Sequence, residues 1–170
     1  GLTSAGIPVQ QYVLTSSGMS NSTGLDASVD YQLSGKTDKR RTLTFSYRYA
    51  TSKADPANDN DVSRIINFPV TDYNQRNDQR SSENTFQVDY VYPGKNLTVE
   101  GGVKGIFRNN KSDFQYFSRN QNTGKFELQP HYSDGFNYDQ TVLGAYNSYQ
   151  YNLETWSFQG GVRFEQTLID

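Results

Sequence analysis

Glu100, Lys104 and Arg108 stand at every fourth position, so in an extended chain with a side-chain period of two they fall on one face. Arg163 and Glu165, two residues apart, share a face in the same way. Charges placed like this can hold a charged solute or protein segment in a watery passage. They can also simply pair across neighbouring strands and keep such a passage polar, which is the plainer reading. A second group is aromatic: Phe114, Tyr116, Phe117, Phe126, Tyr132 and Phe136 all lie within residues 114–136. Their rings could stack on a sugar or another planar ligand, or on one another to fold an extended segment.

Signals for bond-making chemistry are few. His131 is the single histidine, and no Gly-x-Ser-x-Gly elbow or metal-spaced histidine pair accompanies it. There is no cysteine, so thiolate nucleophiles, disulfides and cysteine metal sites are excluded. Asp55-Pro-Ala-Asn-Asp-Asn-Asp61 offers oxygen ligands but lacks the sixth-position glycine and distal glutamate of a calcium loop. The expectation is a protein that is not an enzyme and holds no cofactor or metal. The net charge of -2, with basic residues scattered, gives no footprint for nucleic acid.

The elements that carry these residues repeat. Val29-Asp30-Tyr31, Val88-Asp89-Tyr90 and Asn147-Ser148-Tyr149 stand 59 residues apart each time. Val99-Glu-Gly-Gly-Val-Lys104 is echoed by Phe158-Gln-Gly-Gly-Val-Arg163. Leu25, Ala27, Val29, Tyr31 and Leu33 alternate with polar residues without error, a pattern that fits a strand and not a helix. Leu43, Phe45, Tyr47 and Tyr49 continue it after a turn at Ser34-Gly35, and pairing Leu33 with Leu43 keeps both apolar sets together. The second hairpin runs through Phe86, Val88, Tyr90 and Tyr92, turns at Pro93-Gly94, and returns through Leu97 to Phe107. The third descends through Leu143, Ala145, Tyr149 and Tyr151 and rises from Trp156 to Phe164, with Asn147 interrupting its apolar face.

This pattern predicts an all-β chain: an antiparallel meander of about six strands in three hairpins, at about 22–50, 84–108 and 138–168. Long polar loops are expected at about 51–83 and 109–137, and residues 1–21 are expected to be the tail of a loop. Short turns on one side and long loops on the other are the layout of a transmembrane β-barrel wall. Apolar residues make up only 34% of the chain while aromatics reach 14%, which suits strands that are apolar on one face only. Tyr31, Tyr92, Tyr149, Tyr151 and Trp156 lie near the short turns, and Tyr49, Phe86, Phe107 and Phe164 near the loops. Trp156 to Phe164 covers about 20 Å of height in a tilted strand, close to the apolar band of a bilayer. Gly1-Leu2-Thr3-Ser4 has neither the basic start nor the apolar run of a signal peptide, so a mature fragment is expected. Six strands are fewer than the eight or so of the smallest barrels, so residues 1–170 are expected to form one slice of a larger wall.

Four stretches carry a family resemblance. They are Thr85-Phe-Gln-Val-Asp-Tyr-Val-Tyr-Pro93, Val99 to Lys104 with Arg108-Asn-Asn-Lys-Ser-Asp113, and Trp156-Ser-Phe-Gln-Gly-Gly-Val-Arg-Phe-Glu165. Over roughly residues 22–168 the chain resembles the outer-membrane β-barrels of TonB-dependent receptors. The resemblance implies a barrel of many strands in the bacterial outer membrane, with a plug domain and energy delivered through TonB. It also implies uptake of a nutrient such as a siderophore or oligosaccharide. The partners implied are membrane lipid, plug, TonB and solute. A slice with open strand edges is further expected to associate edge to edge. The competing reading is a soluble surface β-sheet that binds glycan or protein.

Overall fold

A computed structural model describes residues 9–170; Gly1-Leu2-Thr3-Ser4 lies outside the described residues. The strands are β1 (Gln11–Ser34), β2 (Thr42–Ile66), β3 (Tyr73–Pro93), β4 (Leu97–Arg119), β5 (Phe126–Leu128), β6 (Asp134–Asn152) and β7 (Ser157–Ile169). A 3₁₀ turn at Pro130–Tyr132 stands between β5 and β6. Together the strands form one antiparallel sheet in the order β1-β2-β3-β4-β6-β7, with β5 paired to β4 outside that path. The sheet is open, so β1 and β7 are its edges.

The three short turns are tight. Gly35 N–H donates to Arg41 O at 2.8 Å, the closure expected if Leu33 stands beside Leu43. Gly94 N–H donates to Leu97 O at 2.7 Å, and Leu153 N–H to Trp156 O at 2.7 Å. A Cβ on residue 94 would sit 2.6 Å from Leu97 O, so that turn requires glycine.

The long polar segments differ from the loop expectation. β2 runs on to Ile66, β3 begins at Tyr73, and β4 continues to Arg119, so most of 51–83 and 109–119 is strand. Residues 11–21 also belong to β1 and not to a loop. The physical reason is that backbone ladders need no apolar side chains. Period-two hydrophobicity marks where one face meets a non-aqueous medium, and a strand wet on both faces lacks it. Asn67, with a φ of 47°, turns the chain after β2. Asparagine tolerates that left-handed conformation better than most residues.

By packing, the described chain divides into two units. The first holds residues up to Thr23, Lys53–Arg80 and Lys111–Asn137, whose strand segments carry many polar residues on both faces. The second holds Gly24–Ser52, Ser81–Asn110 and Tyr138–Asp170, where the alternation is found. In the second unit β6 and β7 pair through Ala145↔Phe164, Asn147↔Val162 and Tyr149↔Gly160. That register puts Asn147 on the apolar face beside Val162. Tyr146↔Arg163 and Gly144↔Glu165 then share the polar face.

No core forms between layers, because there is one layer. Val142 is the single buried apolar side chain among the described residues. Leu25, Val29, Val103, Phe158, Val162 and Phe164 all stand exposed, Phe164 at 74%. In water such a sheet would leave its apolar face uncovered; in a lipid bilayer the same face is solvated by acyl chains. A charge placed there should therefore be costly. Val103→Arg is expected to destabilise the protein by about 2–4 kcal/mol in phospholipid vesicles, while Thr44→Arg on the polar face costs far less. Urea unfolding of both variants in the same vesicles checks this.

Candidate functional site

On the polar face of the second unit, parity brings one side chain from each of five strands, β1, β2, β3, β4 and β6, to a common level, and these side chains bond in a row. Arg48 of β2 grips the Asp26 carboxylate of β1 through two nitrogens. Its other nitrogen reaches Glu83 Oε1 of β3 at 3.4 Å. Glu83 Oε2 accepts from Arg108 Nε of β4 at 2.5 Å, and Arg108 Nη1 donates to Gln140 Oε1 of β6 at 3.0 Å. Thr85 Oγ1 adds a donor to Glu83 at 3.1 Å. One carboxylate thus bridges two guanidinium groups, and the row ties five strands together with charge-assisted bonds.

A second cluster lies on the same face. Tyr146 Oη donates to Asp89 Oδ1 at 2.6 Å, and Gln87 Nε2 donates to Asp89 Oδ2 at 2.7 Å. The Tyr146 ring lies across Gly102, where an added Cβ would meet Cε1 at 2.6 Å and Val88 O at 2.9 Å. Only glycine lets that ring approach so closely.

Of the charges singled out from sequence, Arg108 pairs across strands with Glu83. Arg163 and Glu165 pair with each other within β7. Glu100 and Lys104 make neither an ion pair nor a hydrogen bond among the described residues. Asp26, Arg48 and Gln140 were discernible only as polar-parity positions. Glu83 fell inside a segment expected to be loop, so its place in the row had no sequence signal.

The opposite face carries aromatic contacts. Tyr47 and Phe86 have ring centroids 4.8 Å apart, and Phe86 meets Phe107 edge-on at 6.2 Å. The Arg41 guanidinium lies over the Tyr92 ring at 4.6 Å. A shallow concavity of about 820 Å³ follows this face, lined by Val29, Phe45, Phe86, Val103, Leu143 and Phe164 among others. Most of its lining is apolar, although Ser46, Gln87, Lys104, Glu165 and Gln166 also border it.

In the first unit, Tyr73 and Tyr116 stack at 5.2 Å with planes 20° apart. Tyr132 meets Tyr116 edge-on at 5.5 Å, and His131 meets Tyr132 at 5.2 Å. The segment bearing Tyr132 is pinned to β4: Gln129 N–H donates to Tyr116 O at 2.8 Å, and Tyr116 N–H to Ser133 Oγ at 3.0 Å. Burial between these rings pushes the Tyr116 hydroxyl pKa up. Phe117 stands opposite Leu128, and Phe126 opposite Arg119, on the β4–β5 hairpin. The six aromatics do not form a single group: Tyr116 and Tyr132 join Tyr73, a residue that sequence reasoning missed. Phe114 is half-buried, and Phe126 and Phe136 are exposed.

Asp55, Asp59 and Asp61 share one face of β2, but the rise of an extended strand sets residues 55 and 59 about 13 Å apart, so the three carboxylates do not converge on one ion. Among the described residues no group of three His, Cys, Asp or Glu side chains is placed to hold a metal. Asp72 closes the link between β2 and β3: its carboxylate accepts Val62 N–H at 2.8 Å and Arg119 Nη1 at 3.0 Å.

The outer membrane protein beta-barrel family matches residues 35–170. No curated relative matches the chain.

Two outcomes follow from the geometry. Glu83→Ala, which leaves two arginines facing each other, is expected to lower stability by about 1 kcal/mol, since both arginines are partly solvated. Equilibrium unfolding in lipid measures it, with Arg108→Ala completing a double-mutant cycle. The Val62 amide bond, and secondarily Arg119, holds the Asp72 carboxyl below its ordinary value of 3.8. Its contribution is therefore complete above 3.8 and is lost as pH falls through the lower folded-state value. Hydrogen exchange at Val62 should lose protection over that acid range, and Asp72→Asn should flatten the pH dependence.

Proposed function

This chain belongs to the outer membrane protein beta-barrel family, and we propose that its sheet is part of the wall of a TonB-dependent nutrient receptor. The protein is an outer-membrane β-barrel protein, and its uptake role is our reading. One observation carries that reading: a single-layered sheet presents lipid-suited residues on one face and bonded charges on the other. In a closed barrel the second face borders water, where a solute or an inserted plug domain would travel or sit. The polar face offers charged and hydrogen-bonding groups to bind and orient a solute, so the proposed role is passage.

The solute class we favour is a siderophore or oligosaccharide. Supporting it is the ring cluster of Tyr73, Tyr116 and Tyr132, in which Tyr132 keeps 63% of its surface open. Such a platform suits a planar chelate or the apolar face of a sugar. A soluble glycan-binding sheet would require the exposed Leu, Val and Phe residues to be covered by a second layer, which the described residues do not supply.

The test is uptake by cells that rely on the whole protein for a labelled ferric siderophore or oligosaccharide. Accumulation should stop when TonB is deleted or the proton gradient is collapsed. Unchanged accumulation would instead mark a passive channel. Tyr132→Ala should raise the half-saturating solute concentration by about 3- to 10-fold without altering the amount of protein in the membrane.

A further inference from the structure

The polar face of the second unit holds a small pocket of about 230 Å³ between β3, β4, β6 and β7, lined by Gln87, Lys104, Gly144, Ala145, Tyr146 and Arg163. We propose that Lys104, Arg163 and Tyr146, spaced around Gly144, form a binding pocket for a carboxylate group.

The Lys104 ammonium makes no ion pair or hydrogen bond among the described residues, although its neighbours on this face are tied to one another. Arg163 is bonded to Glu165 two residues away, but that pair is exposed, with Arg163 at 67%. Exposed pairs contribute little, so Arg163 can turn a donor to a new acceptor at small cost. Lys104 and Arg163 supply the pocket's positive donors, while the nearby Asp89 carboxylate is already occupied by Tyr146 and Gln87. The planar guanidinium fork also matches a carboxylate's two oxygens.

Gly144 supplies the space. In register it stands opposite Glu165, and Tyr146 stands opposite Arg163. A Cβ built on residue 144 would meet only ordinary contacts, Phe164 O at 3.7 Å and Lys104 O at 4.0 Å. The backbone there therefore has no need of glycine, and the missing side chain leaves the floor open. Glycine within a strand weakens it, and often marks a place where a ligand comes close. Tyr146 is fixed beneath by its bond to Asp89 at 2.6 Å, so one wall of the pocket is already rigid before anything binds.

The carboxylate can come from a dissolved solute or from an acidic side chain of a protein segment lying against the wall. The inference rests on the reading of this face as a barrel lumen. Citrate is the probe, titrated by calorimetry into the full-length protein in detergent. Binding is expected, and Lys104→Gln should weaken it by at least about 10-fold while Lys104→Arg retains it. Gly144→Val, which fills the floor but keeps both cations, should weaken it as much. The second source is read by carbodiimide coupling of the full-length protein without citrate. A cross-link from Lys104 to an acidic residue of a protein segment assigns the pocket to that segment. Citrate binding that both variants leave unchanged would overturn the proposal. So would the absence of both citrate binding and any Lys104 cross-link. Labelling of Thr44→Cys by a water-soluble maleimide reports separately whether the face is wet, so failure of the pocket is distinguishable from failure of the lumen reading.

Discussion

A β-sheet one layer thick has nowhere of its own to put an apolar face. In a sandwich a second sheet takes that face out of water, but here Val142 is the only apolar side chain buried among the described residues. The rest of the alternating set, from Leu25 in β1 to Phe164 in β7, has to be solvated by something that is not water. A bilayer meets that requirement without any protein partner. Each crossing strand can then stay extended, with its backbone bonds satisfied by neighbours and its side chains sorted by parity. The membrane acts as the missing layer.

The same constraint explains the polar face. Groups turned away from lipid must find water or one another, and the row from Asp26 to Gln140 does both. Its bonds run perpendicular to the strands, along the direction in which the sheet would otherwise be held by backbone ladders alone. Glu83 is the least exposed member of its ion pairs and joins two arginines that would repel without it. Gly144 leaves a gap on this face, and Lys104 and Glu100 are bonded to none of the described residues.

The first unit follows a different rule. Its strand segments are rich in Asn, Asp, Ser and Arg on both faces, and order comes from side-chain bonds such as Ser16 to Asn60 at 2.6 Å and Ser112 to Asn77 at 2.8 Å. Ring contacts around Tyr116 add a small local centre. Such segments suit an aqueous setting, where apolar alternation would be a liability.

How much of this could be seen in the residues alone depends on which force set each feature. The odd-even pattern of Leu25 to Leu33, Phe86 to Tyr92 and Trp156 to Phe164 was imposed by the medium, so the antiparallel strands, their turns and their lipid-facing side were legible before any coordinates. Arg108, Lys104, Arg163 and Glu165 were legible as polar-face positions for the same reason. Strand beyond Thr51 and beyond Asn109 was not, because backbone pairing leaves no trace in side-chain hydrophobicity when both faces are wet. The face of Asn147 was settled only by its pairing with Val162. Partners likewise needed the tertiary structure: Glu83 between Arg48 and Arg108, and Tyr73 against Tyr116, depend on register between strands far apart in the chain. Sequence periodicity records what each residue faces along its own strand; which side chain it meets is decided by how neighbouring strands slide before their hydrogen bonds lock.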